Sequence, residues 1–169
     1  HDTARPTLAN EEPYQISLQS RQFTPDPGMD PAFMSPGRES KSGWQHLLVQ
    51  FYETPHPEQI AELSENGIKL LQYLPDRAWI ASVNRQKLEN LNHNPAVRWI
   101  GPLEPADRFS PVLRNPSVQA MIQDSPQSKM ALVVELAGDV PLEAGQALVR
   151  EIDGTVQSVI ESTNTLLIV

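Results

Sequence analysis

The feature that most constrains the fold is the stretch 44–105, in which the hydrophobic periodicity changes at well-marked turns. Apolar residues alternate from 47 to 51, the two-residue period of a half-buried strand. A helical pattern then begins at Pro57. Proline suits the first turn of a helix, because the N–H that it lacks would have no partner there. Gly67 ends that pattern, because glycine readily takes the positive φ of a helix end. A strand followed by an amphipathic helix is therefore predicted.

The rest of this stretch contains two more strands, a second helix and a last strand. A turn at Pro75–Arg77 joins the strands 68–74 and 78–83. Asn84 is placed to cap the second helix, and the last strand covers 97–100. The resulting order, βαββαβ, predicts an α+β domain of the ferredoxin-like type with an antiparallel sheet.

The third of these strands has two apolar faces. Trp79 lies on one face with Ala81 and Val83, whereas Ala78 and Ile80 lie on the other. We predict that the Trp79 face packs in the core. The opposite face is the alternative.

The pattern of the first module returns between residues 129 and 169. Ala131–Leu136 repeats the first strand, Pro141 stands at the start of a helix, and Gly154 takes the place of the glycine that ends it. The apolar helix face and the two later strands consist of Ala144, Leu148, Val149 and Ile152, of Val156–Ile160 and of Thr165–Val169. The second module is thus predicted to be an incomplete plait of order βαββ.

Two segments outside these modules are rich in proline. Residues 1–43 are predicted to contain a strand at Tyr14–Phe23, with an extended coil as the alternative, followed by a proline-rich arm. Residues 106–128 are predicted to be a linker with a short helix. The first module accordingly occupies residues 44–105, and the second occupies 129–169.

The incomplete second module would leave one side of Ala131–Leu136 open, because the first strand of a plait lies between two others. Tyr14–Phe23 is the spare strand of the chain. We predict that it, or its equivalent from another copy, pairs beside Ala131–Leu136, so strand exchange or self-association is expected at this edge. The alternatives are that Tyr14–Phe23 pairs with the first module, or that a lost C-terminal segment filled the gap in the parent protein.

Three segments between residues 46 and 111 carry a resemblance: HLLVQF, YLPDRAWIASV and VRWIGPLEPADRFSP. They resemble the N-terminal propeptides of secreted subtilisin-like serine proteases. The resemblance implies a noncatalytic propeptide that acts as an intramolecular chaperone and inhibitor of the subtilisin-like catalytic domain in the same precursor. That precursor would be a secreted serine endopeptidase, located outside the cell or in the periplasm. The chain begins at His1, and we expect an exported protein whose signal peptide has been removed.

The same resemblance places the segment after the last strand along the substrate cleft of the protease, as an added strand. The possible protease-contacting residues are Pro102, Leu103, Glu104, Pro105, Ala106 and Asp107. Unlike those propeptides, this chain continues into a second module, so the segment is alternatively only a linker. Two other functions stay open: a structural or interaction module of a secreted protein, and a free-standing protease inhibitor.

Charge and composition argue against several classes of function. The net charge of −8 disfavours nucleic acid as a partner, because phosphates require a basic surface. The absence of cysteine excludes disulfides and thiolate metal sites. No apolar run is long enough for a membrane helix, so no membrane partner is predicted.

The four histidines stand in no recognisable catalytic or metal-binding pattern. A catalytic serine needs a histidine within hydrogen-bond reach and a third group that orients it. The sequence also contains no G-x-S-x-G, no HExxH and no glycine-rich phosphate loop. We therefore predict no catalytic, metal-binding or cofactor-binding residues, and no enzyme activity for this chain.

Overall fold

The structure is a computed structural model that describes residues 14–34, 43–124 and 130–169. The chain divides into two compact units, His1–Arg108 and Phe109–Val169. Helices and sheets occur in both units, so the predicted α+β class is confirmed. Residues 1–13 and 35–42 of the predicted N-terminal segment and residues 125–128 of the predicted linker lie outside the described residues.

The first unit combines a five-stranded sheet with a small hairpin. Its strands are β1 (Ile16–Ser17), β2 (Gln22–Phe23), β3 (Gly28–Met29), β4 (Trp44–Phe51), β5 (Ile68–Leu74), β6 (Ala78–Asn84) and β7 (Val97–Pro102). Its helices are α1 (Pro57–Glu65) and α2 (Leu88–Asn92). The large sheet has the order β3-β7-β4-β6-β5, and β1 and β2 form a separate two-stranded ladder. The predicted succession βαββαβ runs from β4 to β7.

The local signals that delimit these elements act as predicted. Pro57 is the first residue of α1, and the N–H of His56 donates to Oε1 of Gln59 in a capping box. Gly67 follows the helix with a φ of 78°. The side chain of Asn84 accepts a backbone N–H of the 3-10 turn that leads into α2.

The antiparallel pairing predicted for residues 44–105 is confirmed among β4, β5, β6 and β7, and a strand from outside that stretch adds one parallel pair. β3 pairs in parallel with β7, so Gly28–Met29 lies beside Trp99–Ile100, whereas the other neighbours pair antiparallel. The proline-rich arm therefore supplies an edge strand. Phe33, in the 3-10 turn that follows, packs against the core. A strand of two residues has too few positions to show an alternating pattern, so the sequence did not indicate it.

Helices α1 and α2 cover one face of the large sheet. A hydrophobic cluster on this face contains Leu47 and Phe51 of β4, together with Leu63 of α1 and Leu91 of α2. Trp79 is half-buried and packs against the same cluster, which confirms the predicted face of β6.

β4 is buried on both faces, whereas its sequence predicted burial on one. Leu48 and Gln50 alternate with the residues of the first cluster, and both are 0% exposed. Ile16 of the hairpin is also completely buried, and it forms a second cluster with Leu48 and Trp99. The hairpin thus turns a face predicted to meet solvent into a second core layer.

The predicted strand Tyr14–Phe23 is a hairpin, because β1 pairs antiparallel with β2. The prediction that this segment pairs beside Ala131–Leu136 is therefore wrong for the described chain. Closing a short loop costs less chain entropy than pairing with a distant segment. The second face of the sheet also offers the apolar side chains of the hairpin a place to be buried.

The second unit has a three-stranded sheet and two helices. Its elements are α3 (Pro116–Asp124), β8 (Leu132–Glu135), α4 (Leu142–Glu151), β9 (Val156–Ile160) and β10 (Thr165–Ile168). The sheet has the order β8-β10-β9, and both pairs are antiparallel. The succession from β8 to β10 is βαββ, as predicted.

Helix α4 is rotated relative to its predicted apolar face. Gly145 and Val149 are buried, whereas Leu148 is 59% exposed and Ile152 is 74% exposed. A Cβ atom at Gly145 would collide with the side chain of Leu136. The close approach that glycine allows decides which side of the helix packs, and it outweighs the larger apolar side chains.

Two polar residues take left-handed backbone conformations in this unit. After α4 the positive φ belongs to Asp153 (58°) and not to Gly154, so Gly154 is not the conformational counterpart of Gly67. Asn164 has a φ of 51°, and its side-chain amide donates to the carbonyl oxygens of Ala137 and Val140 at 3.0 Å each. Short polar side chains tolerate this region better than most residues.

Candidate functional site

The segment predicted to contact a protease turns back on its own unit. Pro102 ends β7 and is buried, and Leu103 packs against the cluster of the hairpin. Residues Pro105–Arg108 form a 3-10 turn in which Pro105 and Ala106 are exposed. The segment is therefore folded at both ends and presents its middle to solvent.

Asp107 holds this segment against the turn of the hairpin. Nε of Arg21 donates to Oδ1 at 3.0 Å and Nη2 donates to Oδ2 at 2.8 Å, the two-pronged geometry that suits guanidinium and carboxylate. The hydroxyl of Ser20 and the backbone N–H of Glu104 also donate to the carboxylate. The Asp107 side chain is 0% exposed, whereas that of Arg21 is 38% exposed.

The pKa of Asp107 reflects this environment. Burial by itself raises the pKa of the carboxyl group. The hydrogen bonds from Arg21, Ser20 and the Glu104 backbone, together with the charge of Arg21, outweigh burial and hold the pKa of Asp107 below its usual value. Asp107 is accordingly a carboxylate at neutral pH, and the segment is fixed by a charged contact.

A second polar cluster joins the start of the hairpin to the sheet. Nε2 of the buried Gln50 donates to the backbone oxygens of Tyr14 and Asp76 at 3.0 Å each, and its Oε1 accepts from Arg98 at 2.8 Å. The guanidinium groups of Arg98 and Arg77 lie 4.4 Å and 4.6 Å from the centre of the Tyr14 ring. Gln50 therefore satisfies its polar atoms where the sequence pattern predicted solvent.

The hairpin covers only part of the second sheet face. Phe23 packs edge-on against Trp99 at 5.6 Å. Beyond the hairpin the same face continues to Trp44, Lys69 and Gln72, which are half-buried or exposed. β7 runs antiparallel to β4 and therefore towards the Trp44 end. The segment after Pro102 thus leaves the sheet at the end of this face that the hairpin does not cover.

A cleft of about 690 Å³ opens on the helical side of the first unit. It lies between the loop after β4, helix α1 and the turn after α2. Its polar lining includes Glu53, Gln59, Glu62 and Asn94. Gln59 and Asn94 already accept hydrogen bonds from backbone N–H groups of neighbouring turns, so part of this lining stabilises the local fold.

The histidines of the described residues belong to three different segments of the fold. His46 is on β4, His56 precedes α1, and Nδ1 of His93 lies 3.8 Å from a carboxylate oxygen of Glu89 within one helical turn. Among the described residues, no group of three His, Asp or Glu side chains is placed to hold a metal ion. No helix in the described part of the chain is long and apolar enough to cross a membrane.

Sequence reasoning included Asp107 in the candidate segment but missed its partners. Arg21 is 86 positions away in the chain, and nothing near either residue signals the pair. Tyr14 and Arg98 were likewise missed. One signal was available for the second sheet face. Leu48, on the face of β4 that was predicted to meet solvent, is apolar, which indicates that this face is covered.

One protein-family model matches residues 17–104, just over half of the chain, and its description is Domain of unknown function (DUF8729). No curated protein and no solved structure matches the chain. The matched range runs from β1 of the hairpin to just beyond β7, so it includes the hairpin turn with Arg21 and stops before Asp107. The chain therefore belongs to the DUF8729 family.

Proposed function

We propose that the first unit is a ferredoxin-like plait and that the chain is the noncatalytic propeptide of a secreted subtilisin-like serine protease. In this role it serves as an inhibitor of the catalytic domain and as a template for its folding. The observation that carries the proposal is the strand order β7-β4-β6-β5 with both helices packed on one face. This is the arrangement that the resemblance of the first module implies.

The docking surface in this proposal combines a sheet face with the segment that follows it. The end of the second face that the hairpin does not cover contains Trp44, Lys69 and Gln72, and β7 directs the chain to that end. The exposed Pro105 and Ala106 supply the part that enters the substrate cleft. A module that is already folded loses less conformational entropy on binding than a flexible peptide does.

Inhibition of purified subtilisin-like proteases tests the proposal. The full chain at micromolar concentration should slow the cleavage of a chromogenic peptide by at least one enzyme of a panel. Lys69→Glu and Ala106→Asp should each weaken inhibition, whereas Glu58→Lys, at an exposed position of α1 on the opposite side of the sheet, should not. An unchanged cleavage rate with every enzyme of the panel would contradict the proposal.

We also propose that the chain itself is not an enzyme. Purified chain should release no product from peptide substrates. Turnover that persists through further purification, and that protease inhibitors do not reduce, would overturn this part.

The hairpin supports a second candidate function, a structural or interaction module of a secreted protein. Ile16 and Phe23 occupy much of the sheet face that a propeptide of this type would offer to its protease. Refolding assays separate the candidates. A propeptide should raise the yield of active protease when the denatured catalytic domain is refolded, a free-standing inhibitor should inhibit without raising it, and an interaction module should do neither.

A further inference from the structure

The sheets of the two units share one arrangement. In the first unit α1 connects β4 to β5, and the three strands lie in the order β4-β6-β5. In the second unit α4 connects β8 to β9, and the order is β8-β10-β9. The two sheets differ beside their first strand. β7 pairs antiparallel along the outer side of β4, whereas β8 is the last strand of its sheet, and no described strand pairs with its outer side.

The hydrogen bonds of β8 show which backbone groups point outwards. The N–H of Leu136 donates to the carbonyl oxygen of Asn164 on the β10 side. Bonded and non-bonded pairs alternate along an antiparallel ladder, so Val134 and Leu132 also direct their N–H and C=O groups to β10. The groups of Val133 and Glu135 therefore point to the open side.

The side chains at this edge are apolar and accessible. Val133 is 74% exposed, and it lies opposite Leu167 of β10 on the sheet face away from the buried Leu166. On β9, at the other edge of the sheet, Ile160 lies on the same face and is 48% exposed. Glu135 carries the only charge of β8. An edge strand with few charges and no proline is an efficient template for another strand.

We propose that a second copy of this chain occupies the open side, so that β8 pairs antiparallel with β8 of the partner about a two-fold axis at Val133. In this register the outward N–H and C=O groups of Val133 form hydrogen bonds with the C=O and N–H groups of the partner's Val133. Each Glu135 faces the partner's Ala131, so no like charges meet. The two three-stranded sheets become one continuous sheet, and the exposed valines meet at its centre.

A second copy fits this edge for two reasons. The corresponding position of the first unit holds an antiparallel strand, and a two-fold axis that is perpendicular to the sheet and lies between two copies of β8 produces an antiparallel pair. The segment Tyr14–Phe23, which the sequence predicts as the spare strand, pairs with itself. Because the shared surface is small, the expected dissociation constant is on the order of 10 µM, the range of weak interfaces.

Analytical ultracentrifugation of the full chain tests the proposal. The chain concentration is varied over a hundredfold range centred on about 10 µM. The wild type should pass from monomer to dimer. Val133→Lys should raise the dissociation constant by at least about tenfold, because charge blocks edge pairing. Ser158→Lys is the matched control, since Ser158 lies opposite the same Leu167 on the other edge of the sheet and is exposed. It should leave the constant within about twofold.

A cysteine variant gives a second readout that does not depend on tolerance of lysine. The chain contains no cysteine, so Val133→Cys introduces the only thiol. Directly opposite residues in a bonded antiparallel pair have Cα atoms about 5.5 Å apart, a distance that a disulfide can span. Oxidation should give a covalent dimer with Val133→Cys and much less with Ser158→Cys. A wild type that stays monomeric, a dimer that Val133→Lys does not weaken, or equal cross-linking of the two cysteine variants would each overturn the proposal.

Discussion

At the scale of single residues, the carboxylate of Asp107 links stability to pH. Its pKa is lowered on folding from 3.8, so near that pH the folded state binds fewer protons than the unfolded state. The stabilisation is fully present above about pH 3.8 and is lost as the pH falls through the folded pKa. Asp107→Asn should therefore lower the free energy of unfolding at neutral pH, by about 1–3 kcal/mol. The exposure of Arg21 argues against a larger effect.

Urea unfolding at neutral pH and well below pH 3.8 measures this difference. The gap between wild type and Asp107→Asn should close at the lower pH. Asp76→Asn, at an exposed turn position, is the matched control and should change the free energy of unfolding by less than about 0.5 kcal/mol. A gap that stays constant with pH would mean that the ionisation of Asp107 does not stabilise the fold.

The indole Nε1 of Trp79 is buried without a hydrogen-bond partner among the described residues. Trp79→Ala should destabilise the first unit by about 3 kcal/mol, because it leaves a cavity beside the helix-side cluster. Trp79→Phe should cost much less, because it keeps most of the apolar contact and removes the unpartnered N–H. Equilibrium unfolding of both variants provides the comparison. Equal losses would show that the ring volume is not what stabilises this site.

At the scale of elements, the hairpin of β1 and β2 is the layer that covers part of the second sheet face. Ile16→Ala should lower the free energy of unfolding by about 2–5 kcal/mol, the range for truncating a fully buried isoleucine. It should also shift the tryptophan emission maximum to longer wavelength. Ile16 and Trp99 share a cluster, so the loss of the Ile16 side chain exposes Trp99 to water. Gln19→Ala, at an exposed position of the same hairpin, is the control. If both variants unfold alike, the hairpin contributes no core layer.

At the scale of the whole molecule, the two units differ in how much apolar surface they bury. Two core clusters lie in the first unit, whereas Val149 and Leu166 are the buried hydrophobic residues described in the second. Few buried apolar contacts imply low local stability. Hydrogen exchange should give lower opening free energies for amides of β8–β10 than for amides of β4–β7. Equal values in both would indicate that the chain unfolds as one cooperative unit.

The sequence by itself determined the elements whose signals are local. Pro57, Gly67 and Asn84 fix the ends of helices through groups within a few residues, and the apolar pattern indicates the strands β4 to β10. The succession of elements and the packed face of Trp79 followed from these signals.

Only the tertiary structure decided which surfaces are covered. The pairing of Arg21 with Asp107, the parallel strand β3 and the hairpin on the second sheet face all join distant segments. Local pattern carries no information on such partners, because the same apolar or charged residue suits solvent, a neighbouring strand or a remote side chain. Helix α4 shows the same limit within one element, since the contact at Gly145, and not the number of apolar side chains, selects its buried side.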